Sequence, residues 1–246
     1  MDRLDAAAIV VPGVEVRVVE RCGSTNDLAL ESPTPVLIAA EQQTAGRGRR
    51  GRRWYSARGA SITFSLARRI SRPARELAGL SLVAGVATAR ALRALGVQVR
   101  LKWPNDLEVN GAKLGGILVE TRGGNHTVIG IGVNCERART LEARVRRRMA
   151  YLRDFTAAAR SQVIERIGQR LMGALDEFEK RGLEALRAEW EAMHAHAGQR
   201  LRVRLADGRT LSGIATGLGA DGSLQIHTAR GLRAVTSGRV VSARPA

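Results

Sequence analysis

Lysine is nearly missing from a strongly basic chain. Of 246 residues, 40 are Lys or Arg against 23 Asp or Glu, and only Lys102, Lys113 and Lys180 are lysine. Drift toward Arg accounts for most of this. Under such drift, a position that stays Lys points to a need for a compact ammonium in place of a planar guanidinium. Cysteine is scarce too. Cys22 and Cys135 form no CxxC pair, which argues against a disulfide framework or a cysteine metal site and for a reduced, cytoplasmic protein. Aromatics make up 3%, so the core must rest on Leu, Val, Ile and Ala. No apolar run approaches the ~18 residues of a membrane span. The segment from Met1 to Ala6 lacks the apolar stretch of a signal peptide.

What is present reads as alternating strands and helices. Val14 to Val19, Val36 to Ala40, Ser61 to Ala67 and Val97 to Lys102 have strand character. Ser24 is placed to cap a helix, with Asp27 completing a capping box. Pro73 to Leu95 carries a helical period and stops at Gly96. Asn110-Gly111 joins Leu107–Val109 to Leu114–Thr121 as a hairpin, and Gly123-Gly124 turns the chain into Thr127 to Val133. Arg137 to Arg153 is basic and poorly patterned. Helices are expected over 157–180 and 183–195. From Gly198 onward helical pattern ceases, and five short runs alternate with Asp207-Gly208, Asp221-Gly222 and Gly231 turns. The expected fold is therefore α+β. A mixed, largely antiparallel sheet with packed helices occupies residues 1–197, and a small SH3-like β-barrel occupies 198–246.

Three segments invite a chemical reading. Gly46-Arg-Gly-Arg-Arg-Gly-Arg-Arg-Trp54 contains a GxGxxG string. The dinucleotide fingerprint also needs a helix opening on it and an acid about twenty residues later. Arg49 to Ser56 is not amphipathic, and Ile62 to Arg72 has no acid. A loop of Gly and Arg is instead suited to approach and wrap an anion, with Trp54 free to stack on a planar ring. A solvated basic loop or a nucleic-acid patch fits the same residues. Lys102-Trp-Pro-Asn-Asp106 ends a strand in a turn that can present Asn105 and Asp106 to a cleft, or can be a plain turn. Lys113 opens the second hairpin strand. Gly115 and Gly116 beside it weaken that strand, and so suggest close approach by a ligand or by backbone; an edge-strand lysine is the alternative. Ile129-Gly-Ile-Gly-Val-Asn-Cys135 leaves room on one strand face.

In this order and spacing, with Ser24-Thr-Asn26 and Glu41-Gln-Gln43, the segments resemble the catalytic domain of bacterial biotin–protein ligases over about residues 15–135. The C-terminal fifty residues resemble that family's SH3-like domain. The resemblance implies a class II synthetase-like fold. It also implies that biotin and ATP give biotinyl-5′-AMP and pyrophosphate, with Mg²⁺, before biotin passes to one lysine of a biotin carboxyl carrier protein or domain. It places Ser24, Thr25, Asn26 and Gln43 on the biotin ureido ring. Arg47, Gly48 and Arg49 match the loop that closes over biotin and the adenylate. Lys113, beside Gly115 and Gly116, matches the lysine near the biotin carboxylate and the α-phosphate. Trp54 and Asn134 match positions near the adenine, while Arg50, Arg52, Lys102, Asn105 and Asp106 fall on the nucleotide side. Lys113, Arg47, Arg49 and Asp106 are the expected catalytic groups, and Asp106 is also a candidate base for the carrier lysine. No residue is assigned to a metal.

Relatives that repress transcription carry an N-terminal helix-turn-helix. With the first strand expected near residue 14, no such domain and no sequence-specific DNA binding are expected here. The formal net charge of +17 then suits association with an acidic carrier. Lipoate or octanoate ligation, and a non-enzymatic nucleic-acid-binding module, are the alternatives. A monomer or weak homodimer is expected, with no membrane contact. His194 and His196, two apart on the expected helix, make a poor metal pair, and Cys22 reads as a small buried hydrophobe or a pocket residue.

Overall fold

The computed structural model describes residues 2–145 and 147–245, so Met1, Ala246 and Arg146 of the basic 137–153 stretch lie outside it. The chain opens with β1 (Glu15–Cys22), α1 (Thr25–Glu31), β2 (Val36–Gln43) and β3 (Ser61–Arg69). It continues through α2 (Leu80–Arg93), β4 (Arg100–Lys102), β5 (Asp106–Val109), β6 (Ala112–Arg122) and β7 (His126–Asn134). These seven strands form one sheet in the order β1-β2-β3-β7-β6-β5-β4. Only β1 and β2 run parallel, because α1 crosses between them; the other neighbours pair antiparallel.

Side-chain alternation divides the sheet into two faces. Ile129, Ile131 and Val133 of β7 and Ile62, Phe64 and Leu66 of β3 enter the main core with α2 and two later helices. The opposite face carries a small apolar cluster under α1, formed by Ala29 of that helix with Val36, Ile38, Ala67 and Val128, and beside it small or polar residues: Ser65 on β3, Gly130 and Gly132 on β7, and Gly116 on β6. That face lies under α1 and becomes a site. Hydrophobic burial of about 1.5–3 kcal/mol per large aliphatic residue holds one side, which frees the other for chemistry.

The hairpin at Asn110-Gly111 forms as its dipeptide dictates, with φ of 51° and 71°. The helical period over 73–95 resolves into a 3₁₀ stretch, Ala74–Gly79, leading into α2. The strand expected over 97–102 shortens to β4. Ser24 does occupy the N-cap position of α1, but its side chain makes no capping bond.

The short helix α3 (Arg139–Glu142) interrupts the basic stretch, and α4 (Arg160–Arg181) and α5 (Glu184–Ala192) pack on α2 and on each other. Arg160 is fully buried and pairs with Glu41 of β2 and with Asp2, tying the N-terminal segment into the core. The end of α5 corrects one expectation. The helix stops before the histidines, and His194 bridges to Leu101 beside β4.

His194 is 1% exposed, and its Nε2 has no partner among the described residues. Burial, with His196 and Arg100 adding positive charge, holds its pKa down at about 3. The folded ring stays neutral, while an unfolded one takes a proton near its ordinary value. This contribution to stability is therefore complete above pH ~6.5 and is lost as pH falls toward 3. Between pH 7.5 and 5 the loss is roughly 2 kcal/mol. His194→Phe is expected to remove it. Urea unfolding at both pH values checks this, and an unchanged pH dependence in the variant would refute it.

The last five strands are β8 (Arg200–Leu205), β9 (Thr210–Leu218), β10 (Leu224–Thr228), β11 (Gly231–Val235) and β12 (Gly238–Arg244). They make a separate antiparallel sheet, ordered β11-β10-β9-β8-β12. It is fastened to the rest by Trp103 Nε1 donating to Gly222 O at 3.1 Å and Leu218 N donating to Glu191 Oε1 at 2.8 Å.

Candidate active site

A cleft opens over the small-residue face of the seven-stranded sheet. Its two ends differ in chemistry. One is neutral and hydrogen-bonding. The β1–α1 turn brings Ser24, Thr25 and Asn26 there, all buried, and β2 brings Gln43. Thr25 N donates to Gln43 Oε1 at 2.7 Å, and Thr25 Oγ1 lies 2.7 Å from Ser65 Oγ. Ser65 Oγ donates to Asn26 Oδ1 at 2.6 Å, and Asn26 Nδ2 donates to Glu120 Oε2 at 2.6 Å. Each amide orientation is thereby set by its neighbours.

The other end is cationic. Lys113, 11% exposed, forms an ion pair with Asp106, and Arg147 reaches the second Asp106 oxygen at 3.4 Å. Arg49 and Arg52 also line the cleft. Burial pushes the Lys113 ammonium below the ordinary lysine value. The Asp106 carboxylate opposes that shift, while Arg147 and Arg52 add to it. Arg49 and Arg52 are lowered as well, by burial first and then by neighbouring arginines, with Asp106 again opposing. Four cations around one carboxylate leave an excess of positive charge that an anionic ligand would neutralise. Both Asp106 oxygens are held by cations, which suits charge organisation better than proton acceptance.

The Gly- and Arg-rich segment folds over the cleft as a closed turn. Gly48 N donates to Arg52 O at 2.7 Å, and Trp54 N donates to Gly46 O at 2.9 Å. Arg47 latches it down, donating to Asp27 at 2.7 Å and to Glu120 Oε2 at 2.9 Å. A side chain at Gly46 would bring its Cβ within 2.6 Å of Trp54 O, so this close crossing needs glycine. Trp54 lies against Gly132, with Lys113 Nζ 5.9 Å from its ring centroid, and its buried Nε1 has no partner among the described residues.

The cleft thus gathers Ser24, Thr25, Asn26, Gln43, Arg47, Gly48, Arg49, Arg52, Trp54, Asn105, Asp106, Lys113 and Gly116. Four other expected site residues lie outside its lining. Lys102 is taken by Glu108 at 2.9 Å. Arg50, with φ of 57°, turns away and donates to Ser237 Oγ at 2.8 Å. Gly115 is needed by backbone, because a Cβ there would meet Gly132 O at 2.5 Å. Asn134 Nδ2 donates to Lys113 O at 3.0 Å and to Ala150 O at 3.3 Å, bracing the lysine strand from behind. Cys22, half-buried, is also outside the lining.

Arg147, which lines the cleft, and Ser65 and Glu120, which support it from behind, carry no signal in the sequence. Arg147 is brought in because Lys113 N donates to Arg148 O and Ala150 N to Lys113 O, laying the basic stretch beside the lysine; nothing in its sequence sets it apart from neighbouring arginines. Ser65 and Glu120, which brace the neutral end, have no motif either. Gly130 and Gly132 did have a signal, their alternation along a strand.

Among the described residues no three His, Cys, Asp or Glu side chains group to hold a metal, and no helix is long and apolar enough to cross a membrane. Magnesium generally binds through one or two carboxylates plus substrate phosphates. Asp106 is the carboxylate of the cleft lining; with its oxygens held by Lys113 and Arg147, it would have to release one of them to bind a Mg²⁺ carried in by a nucleotide.

Comparison with known proteins gives the family. Residues 18–134 match the biotin/lipoate A/B protein ligase family, and residues 196–241 match the biotin protein ligase C terminal domain. The chain is 32% identical to the biotin–[acetyl-CoA-carboxylase] ligase of Mycobacterium tuberculosis, across 94% of this chain and 90% of that one. It is 35% identical to the bifunctional ligase/repressor BirA of Escherichia coli, across 87% of this chain and 70% of that one. A biotin protein ligase from Aquifex aeolicus, solved in complex with biotin and ATP, superposes with a TM-score of 0.79 at 26% identity, covering 94% of this chain and 99% of that one.

Proposed function

The chain belongs to the biotin/lipoate A/B protein ligase family, and from that premise we propose that it is a biotin–protein ligase, converting biotin and ATP to biotinyl-5′-AMP and pyrophosphate and then passing biotin to one lysine of a biotin carboxyl carrier protein. The observation that carries this reading is the two-ended cleft, neutral at Thr25, Asn26 and Gln43 and cationic at Lys113, Arg49, Arg52 and Arg147. Biotin has the same polarity, with a neutral cyclic urea at one end and a carboxylate at the other.

The urea end is held by the hydroxyl and amide groups around Asn26. The carboxylate lies toward Lys113, where a carboxylate oxygen attacks the α-phosphorus and the bond to pyrophosphate breaks. Both reactants are anionic. Lys113, Arg49 and Arg52 offset their repulsion and stabilise the charge that builds on the phosphorus oxygens. Asp106 sets the Lys113 ammonium in place, and it is the residue we assign to a Mg²⁺ arriving on the nucleotide, which would supply further charge neutralisation. Trp54 lines the nucleotide side. The segment over Arg47–Arg52 excludes water, against which a mixed anhydride is unstable. The unprotonated carrier lysine then attacks the anhydride carbonyl, and AMP leaves. We take residues 1–197 as the catalytic unit and 198–246 as the C-terminal unit.

Lipoate is the discriminating substrate. Its dithiolane ring offers the hydroxyls and amides of the neutral end no hydrogen bonds, and a site that hydrogen-bonds its substrate discriminates strongly against an analogue that cannot form those bonds. Pyrophosphate release from ATP is therefore expected with biotin and not with lipoate or with neither. Equal release with lipoate, or none that depends on biotin, would overturn the proposal.

A further inference from the structure

The C-terminal sheet carries an arginine stripe that its own fold does not use. On β8, Arg200, Arg202 and Arg204 alternate with buried Leu201 and Val203 and are exposed. On β12, Arg239 lies opposite Arg204 and Arg244 opposite Arg200. A bulge between Val240 and Ser242 restores the register, and so keeps Arg244 on the same outer face. The β9 neighbours on this face are Thr210, Ser212 and Ile214. No carboxylate occupies these positions. Among the described residues, the sheet's own acid–base pair is Arg209 with Asp207 at the β8–β9 turn, and the five stripe arginines form none. Like charges placed directly opposite one another destabilise a sheet, so two facing Arg pairs are a cost that nothing on this face offsets.

The stripe begins at the mouth of the active site. Ser237, just before β12, accepts from Arg50 of the loop over the cleft at 2.8 Å. Arg239 follows two residues later, and its charge is felt at Arg52, a cleft residue whose pKa is lowered first by burial and further by this neighbour.

We infer that this outer face, running from Arg239 and Arg204 to Arg200 and Arg244, is the docking surface for the acidic acceptor protein whose lysine enters the cleft. The inference rests on the ligase reading and goes beyond it by naming the surface and the chemistry of the partner. Charge complementarity selects the occupant. A single-stranded nucleic acid fits less well, because the face has no aromatic side chain for bases to stack on; its neutral members are Thr210, Ser212, Ile214 and Ser242. Position also favours the acceptor, since the adenylate formed at Lys113 must meet an amine carried by another chain.

The test uses the full chain with Arg202→Glu and Arg204→Glu combined. A glutamate at 204 faces Arg239, so the variant exchanges a repulsive pair for an attractive one and retains the fold, checked by its melting temperature. Biotin-dependent pyrophosphate release, which needs no acceptor, is expected to stay within about twofold of wild type. The KM for an acidic apo carrier domain of acetyl-CoA carboxylase is expected to rise about tenfold at low salt with kcat little changed, as for a surface that steers association. The steep rise of the wild-type KM with salt should flatten in the variant. An unchanged carrier KM sinks the docking surface. An unchanged carrier KM together with lost binding of random duplex DNA assigns the stripe to nucleic acid instead. Failure of the ligase reading is separate, because wild type would then show no biotin-dependent pyrophosphate release at all.

Discussion

Lys113→Ala is expected to cut biotin-dependent pyrophosphate release by about 10²- to 10³-fold, the range seen when a preorganised charge-stabilising group is removed. The size of the effect follows from burial. The side chain is 11% exposed and its ammonium is held against Asp106, so little water screens its field at the point where, in the proposed reaction, two anions must meet. Removing it also leaves Asp106 facing the cleft with only the more distant Arg147, at 3.4 Å, as a partner. A negative charge would then stand where the phosphate must sit. The loss should therefore fall mainly on kcat, because the interaction strengthens as charge develops on phosphorus. Lys113→Arg is not expected to restore activity. A Cβ at Gly116 would lie 3.1 Å from Lys113 Nζ, so this corner is already filled by the smaller head group. Stopped-time measurements of pyrophosphate with saturating biotin, alongside melting temperatures, check the claim. Release within tenfold of wild type in a folded Lys113→Ala protein would remove Lys113 from the chemistry.

Lysine scarcity makes this residue legible in the sequence alone. In a chain where nearly every cation is Arg, Lys113 stands out by type, and the glycines after it by their place in a strand. The loop from Gly46 to Trp54 is legible in the same way, since its glycines and arginines serve neither core nor helix. The mixed sheet follows from the Asn110-Gly111 and Gly123-Gly124 turns, which are local signals carried by a few residues. What the sequence does not disclose is long-range. Lys102 sits in as distinctive a segment as Lys113, yet Glu108 captures it at 2.9 Å, and pairing of that kind depends on strand register. Arg50 shares its motif with Arg49 and Arg52, but a positive φ turns it out to Ser237. Arg147 enters the cleft only because the basic stretch ladders onto Lys113. Motif membership therefore locates the cleft, while backbone geometry decides which members line it.

The second large effect is expected from a residue with no functional group. Gly130→Ala should raise the KM for biotin by about 10- to 100-fold and leave the KM for ATP nearly unchanged. Gly130 lies on the site face of β7, opposite Leu118 of β6. A Cβ there would overlap Asn26 Oδ1 and come within 3.0 Å of Asn26 Cγ. A flexible side chain would swing away, but Asn26 is pinned. Ser65 Oγ donates to its Oδ1 at 2.6 Å, and its Nδ2 donates to Glu120 Oε2 at 2.6 Å. Glu120 is itself engaged by Arg47 at 2.9 Å. Either Asn26 leaves this array or β7 shifts, and both disperse the neutral end of the cleft. Losing one or two hydrogen bonds to a buried urea costs about 1–3 kcal/mol, which is the stated change in KM. The cationic end is built from other residues, Lys113, Arg49 and Arg52, so ATP should be bound as before. Steady-state kinetics with each substrate varied in turn separates the cases. A rise in both KM values with a lower melting temperature would mean that the methyl group had unsettled the sheet. An unchanged biotin KM in a stable variant would show that Asn26 does not touch biotin, and the assignment of the two ends would have to be reversed.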